Sequence, residues 1–332
     1  MVSILLLRGK ALVPVGLSLA FSTLAHTTPS VRVDASDDIM GTTFSVVLYD
    51  SNRVKGEAAA NAALAEAHRL DHVLSNYLPS SELSRVNREA ARAPVKVSAE
   101  LFSFLDTALR YSRESEGAFD MTIGPLMKVW GFYKGEGRLP KPADVTGALK
   151  RVGYRHVMLD GSERTVRFDA PDVELDPGGI GKGYAVDSRV AVLRQAGVSS
   201  ARISAGGSSI YAIGTPPDEP RGWKTPIRAP TDARLTVAEV FLKNESISTS
   251  GGYEKFFRAE GKVYAHIMDP RTGYPAQGTA AVSVIAARTI DSEVWAKPYF
   301  INGRAWTGQH KDRSFRVFFC PSTPTPCSWI AQ

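Results

Sequence analysis

A chain of 332 residues, 43% of them apolar, can bury a sizeable core, and no low-complexity tract argues against folding. The net charge of +6 is dispersed without runs of like sign, so there is no footprint for nucleic acid. No stretch is long and unbroken enough to read as a membrane span, which argues against an integral membrane protein.

Taken in chain order, the first segment is "MVSILLLRGKALVPVGLSLAFSTLA". It has Arg8 and Lys10, no acid, an apolar run broken by Pro14 and Gly16, and small residues around Ala25. That resembles a secretory signal peptide over 1–25, and it predicts export to the periplasm or beyond. Residues 26–38 read as a linker, and 39–332 as one domain with a Pro-rich tail. Alternation predicts a strand over 42–50. Ala-rich helical spacing predicts a helix over 55–75, whose His68 and His72 read as surface residues. A second helix spans 98–117, with Ser98 as N-cap and Gly117 as stop. Residues 155–170 read as a hairpin around Asp160-Gly161, and 183–197 as a helix ending at Gly197. Residues 201–214 read as strand, Gly-Gly break and strand, and 281–287 as a strand. Strands and helices mix without a strict βαβ rhythm, which predicts an α+β fold, mixed sheets flanked by helices. In an exported protein Cys320 and Cys327 of "CPSTPTPC" would form a disulfide; in a cytoplasmic one they would be free thiols.

The stretch "ELDPGGIGKGYAVD" (174–187) is the most unusual. Gly178 and Gly183 have P-loop spacing, but Tyr184 follows where Lys-Ser/Thr is required. Gly179, Gly181 and Gly183 are one residue short of a dinucleotide fingerprint. The physical logic of an anion site survives: glycines let backbone approach a phosphate, a helix starts at once, and Lys182 adds a cation.

Seven segments occur in a fixed order: "MGTTFSVVLYD", "SNYLPSSELSRVN", "GAFDMTIGPLMKVWGF", "LDPGGIGKGYAVD", "SAGGSSI", "STSGGYEKF" and "YAHIMDPRTGYP". This series resembles the FAD:protein FMN transferase (ApbE) family, from about Ile39 to about Gly303. The resemblance implies a single domain with the flavin nucleotide in a central cleft. It implies an enzyme that uses a divalent metal, magnesium or manganese, to transfer FMN from FAD to a Thr or Ser of a partner flavoprotein, releasing AMP. By position, Met40, Tyr77, Ala118, Phe119, Asp120, Asp176, Lys182 and Ile267 fall where the family contacts FAD. His266 matches the histidine implicated in chemistry. Gly179, through its carbonyl, and Asp291 match metal-binding positions.

These residue types suit the reaction. A metal with oxygen ligands neutralises charge developing between two phosphates, a lysine suits phosphate, and a histidine can take the acceptor's proton. Two positions depart from the family pattern. Ser208 stands where an acid is usual, and Trp295 stands where a threonine follows the metal aspartate by four residues. The segment before Gly303 is also two residues longer than usual, which leaves Ser292, main chain or water to replace the missing hydroxyl. Two other readings stay open: a non-catalytic FAD-binding protein, and a metal-dependent FAD pyrophosphatase.

Overall fold

The computed structural model describes residues 30–331 apart from Lys134, Ala233, Arg313 and Pro324. The segment read as a signal peptide lies outside the described residues. Of the linker expected over 26–38, residues 31–38 are no linker: Val31–Ile39 is a strand. Its polar outward positions hide the alternation, because it is the edge strand of the main sheet and only Val33 and Ile39 are buried.

Seven helices occur among the described residues: α1 Arg53–Leu74, α2 Glu82–Glu89, α3 Ala99–Glu114, α4 Gly124–Val129, α5 Pro142–Leu149, α6 Gly181–Gln195 and α7 Thr289–His310. Asn52 caps α1 by accepting from the Lys55 amide, and Ser98 caps α3 by accepting from Leu101. The eight-stranded sheet runs in the order 31–39, 42–50, 201–205, 209–213, 245–251, 279–286, 316–321 and 328–329. The class is α+β, as expected. Every pairing in this sheet is antiparallel, so it is not mixed in direction.

The sheet's period of two assigns its faces. Tyr211 and Ile213 point to α1 and α6, while Ile210 and Ala212 point to the ribbon formed by Trp223–Arg228 and Thr236–Leu242. Ala59, Ala60, Ala63 and Ala67 of α1 are buried, and their small side chains allow close packing with Val186, Val190 and Leu193 of α6. Val282, Val284 and Ala286 pack under Tyr299 and Phe300 of α7. A further core gathers Leu101, Phe104 and Leu105 of α3 with Ile180, Ile290 and Val294. The hairpin forms as read, with Val157–Asp160 paired to Thr165–Phe168. Cys320 and Cys327 are joined in a disulfide.

Candidate active site in the cleft at the sheet end

Register places several turns at one end of the main sheet. Met40-Gly41 is a two-residue hairpin loop with both φ positive, at 52° and 70°. Gly206-Gly207 turns beside it, and Gly251 ends its strand at the same edge. A cleft of about 390 Å³ opens there, lined by the 176–182 loop, by His266, Ile267 and Met268, and by Lys297 and Ile301 of α7.

The glycine loop is built by three devices. Asp176 Oδ1 accepts from the Gly178 amide at 2.8 Å, which fixes the turn Pro177–Gly179. The helix α6 then starts at Gly181, so that Gly181 and Lys182 of its first turn, whose amides have no partner within the helix, line the cleft. Its third residue, Gly183, donates its N–H to the buried Glu293 carboxylate of α7. Two glycines are needed for contact. A Cβ on Gly183 would lie 2.7 Å from the Thr289 carbonyl and 2.8 Å from Glu293 Oε2, and one on Gly179 would lie 3.1 Å from the Phe119 ring.

Three lysines, Lys182, Lys255 and Lys297, line the cleft with His266. Lys182 Nζ and Lys297 Nζ lie 3.5 and 3.7 Å from the same Glu293 oxygen. Lys297 also donates to the Glu293 main-chain carbonyl at 2.8 Å. Burial pushes the Lys297 ammonium down to about 8, with Glu293 opposing. Burial likewise pushes His266 down to about 4, and the charges of Lys182, Lys255 and Lys297 add to the effect. Its Nδ1 is 3.2 Å from the Lys255 carbonyl. A carbonyl can only accept, so Nδ1 carries the proton and Nε2 keeps its lone pair.

The other sequence-expected residues converge on the same cleft: Met40, Tyr77, Ala118, Phe119, Asp120, Asp176, Gly179 and Ile267 all line it. Tyr77 is half exposed and stacks on Tyr133 at 4.8 Å, giving a flat aromatic platform at the mouth. Asp120 is buried and accepts from the Thr122 amide and hydroxyl and from the Tyr154 amide at 2.8, 2.7 and 2.6 Å. Burial raises its pKa against those bonds. His68 is a surface residue hydrogen-bonded to Asp37, as read.

The ApbE family model matches residues 40–314. The chain belongs to the ApbE family. It is 31% identical over 264 residues to the FAD:protein FMN transferase of Klebsiella pneumoniae, covering 79% of this chain and 80% of that one. It is 32% identical over 283 residues to the FAD:protein FMN transferase of Treponema pallidum, covering 80% and 77%. In structure it resembles the ApbE protein of Thermotoga maritima (TM-score 0.82, 26% identity, 90% and 96% covered). It also resembles the flavin transferase ApbE of Vibrio cholerae (TM-score 0.81, 25% identity, 91% and 97% covered).

Asp291 is the exception among the ApbE-type assignments. It does not line the cleft. Its carboxylate is held by Arg288 through two bonds of 2.9 Å and by the Tyr111 hydroxyl. Burial alone would raise it, but these partners keep it below the usual carboxylate range. Trp295, four residues on, shares that face and stacks on Tyr299. Ser292 is no substitute ligand, because its hydroxyl is buried against Ser246 and Ser248 at 3.0 and 2.8 Å. A residue two positions away on a helix points to nearly the opposite side. Hence Glu293 and Lys297, also four apart, face the glycine loop instead. The sequence reading missed both. The signal for them was the two-residue surplus before Gly303, which shifts the facing pair from 291 and 295 to 293 and 297.

The residues at Gly179 therefore do not fit a divalent metal. The carboxylate facing them from α7, Glu293, is already shared by two ammonium groups, Asp176 is committed to the Gly178 amide, and Lys297 stands four residues on from Glu293 in place of a hydroxyl. Among the described residues no three His, Cys, Asp or Glu side chains stand close enough to share an ion. Asp291→Asn is accordingly expected to lower thermal stability by breaking a half-buried ion pair. It should leave the metal dependence of any activity unchanged, as midpoint and activity titrations against magnesium will report.

Proposed function

We propose that this chain is a FAD:protein FMN transferase acting on a Thr or Ser of an exported flavoprotein. The observation that carries the reading is the meeting of the glycine loop, three lysines and His266, with its Nε2 left free by the Nδ1 contact to Lys255, in one cleft. FAD places its diphosphate against the Gly178–Lys182 backbone and the lysines, and its rings against the Tyr77 platform and Ile267. The acceptor hydroxyl oxygen attacks the phosphorus of the FMN half. The bond from that phosphorus to the bridging oxygen breaks, AMP leaves with the bridging oxygen, and the hydroxyl proton passes to His266 Nε2. The lysines offset charge on the departing phosphate. The magnesium dependence implied by family resemblance has no ligand set at Gly179, where Lys297 lies against the loop and Glu293 is shared by two ammonium groups.

The test incubates purified protein with FAD and a candidate acceptor. Covalent flavin on the acceptor by mass spectrometry, with one AMP released per flavin, is the expected result. Free FMN plus AMP without acceptor labelling would make the protein a pyrophosphatase, and intact bound FAD with no labelling would make it a carrier. Lys182→Ala is expected to weaken FAD binding by about 1.5–3 kcal/mol, the worth of a charge-assisted hydrogen bond, and Lys182→Arg by less. Flavin fluorescence titration measures both, and equal affinities would return Lys182 to the solvated surface. Export belongs to this reading because of the N-terminal segment. The expected mass of periplasmic protein is that of a chain cut near Ala25.

A further inference from the structure

Glu293, Lys182 and Lys297 form a cluster that proton transfer does not use. Glu293 is 1% exposed, one of its oxygens accepts the Gly183 N–H, and the other accepts no hydrogen bond. That second oxygen faces two ammonium groups just beyond hydrogen-bonding distance. The two ammonium groups offset the buried carboxylate's charge without closing a hydrogen bond to that oxygen, which leaves N–H groups to spare for a further anion. Two ammonium groups on one carboxylate leave a net positive charge, directed at the loop where backbone amides await an anion. The stem of Lys297 also lies against that loop, its Cε 3.7 Å from where a Gly179 Cβ would be. One of its three N–H bonds anchors it to the helix. Its head is thereby positioned in advance, as a preorganised cation should be. A divalent ion placed at the same spot would meet two ammonium groups and one shared carboxylate.

We propose that the ammonium of Lys297, anchored by Glu293, takes the position of a divalent metal in this site, so that the chain holds the FAD diphosphate with protein cations alone. The inference rests on reading the cleft as a FAD site. It assigns a charge-supplying role to Lys297, whose head is held by the Glu293 main-chain carbonyl.

The experiment measures FAD binding by flavin fluorescence in excess EDTA and in millimolar magnesium, for wild type, Lys297→Met and Lys297→Arg. Manganese content of the FAD complex after equilibrium dialysis is measured alongside. Wild-type affinity is expected to agree within about twofold between the two conditions, with no stoichiometric manganese retained. Lys297→Met should bind FAD at least about tenfold more weakly, the loss for one charge-assisted bond. Magnesium should not restore it, and Lys297→Arg should recover part of it. Should Lys297→Met fail to fold, the wild-type comparison and the arginine variant still decide. Loss of wild-type FAD binding in EDTA with recovery in magnesium, retention of one manganese per chain, or unchanged affinity in Lys297→Met overturns the proposal. Metal-independent FAD binding without labelling of any acceptor would sustain this site while rejecting the transferase reading.

Discussion

His266→Ala is expected to slow FMN transfer by roughly 10²–10⁴-fold, the usual contribution of a general base, while FAD binding stays near wild type. The expectation follows from tautomer and environment. Nδ1 is committed to the Lys255 carbonyl, which leaves Nε2 to receive a proton. Burial and the neighbouring lysines hold the ring neutral down to about pH 4. In the free enzyme the acidic limb of transfer should therefore lie near that value, well below the range of a solvated histidine. Stability has the same sign. The unfolded chain takes up the proton near pH 6.5 and the folded chain only near 4, so stability falls as pH drops through that window. His266→Ala should remove this part of the acid lability as well as the rate. Transfer at the wild-type rate in the variant would make the histidine structural.

Much of this site was legible because its residues are carried by short local motifs. The turn at Met40-Gly41, the loop from Asp176 to Lys182 and the segment around His266 each keep their meaning wherever the fold places them. Helix ends were equally local: Ser98 caps α3, and Gly197 follows α6 with φ 81°. The failures came where meaning depends on tertiary context. An edge strand that buries two of nine residues carries no apolar alternation, so it read as linker. Asp291 matches a motif position, but which face of α7 meets the glycine loop is set by helix phase. Phase in turn is set by Asp187, which accepts from the Thr289 and Ile290 amides at 2.7 and 3.0 Å, and by Ser292 locking onto the sheet. Neither constraint is visible from the spacing of Asp291 and Trp295 alone.

Glu293→Gln is expected to destabilise the free protein by about 3–5 kcal/mol, the loss on breaking a buried ion pair by removing one partner. Shape is nearly conserved and the amide oxygen can still accept the Gly183 N–H, so the deficit is electrostatic. Lys182 and Lys297 would be left facing each other with no anion between them. Two consequences separate this from loss of packing. Adding Lys297→Met to Glu293→Gln should return part of the stability, because it removes one of the two uncompensated charges, and a double-mutant cycle measures the coupling. FAD should also bind Glu293→Gln more tightly than wild type, since the diphosphate no longer competes with a resident carboxylate for the two ammonium groups. By linkage the thermal shift on adding saturating FAD should then exceed the wild-type shift. Additive stabilities in the cycle, together with weaker FAD binding in Glu293→Gln, would mean that the carboxylate serves the helix contact through Gly183 alone and that the two lysines are not coupled through it.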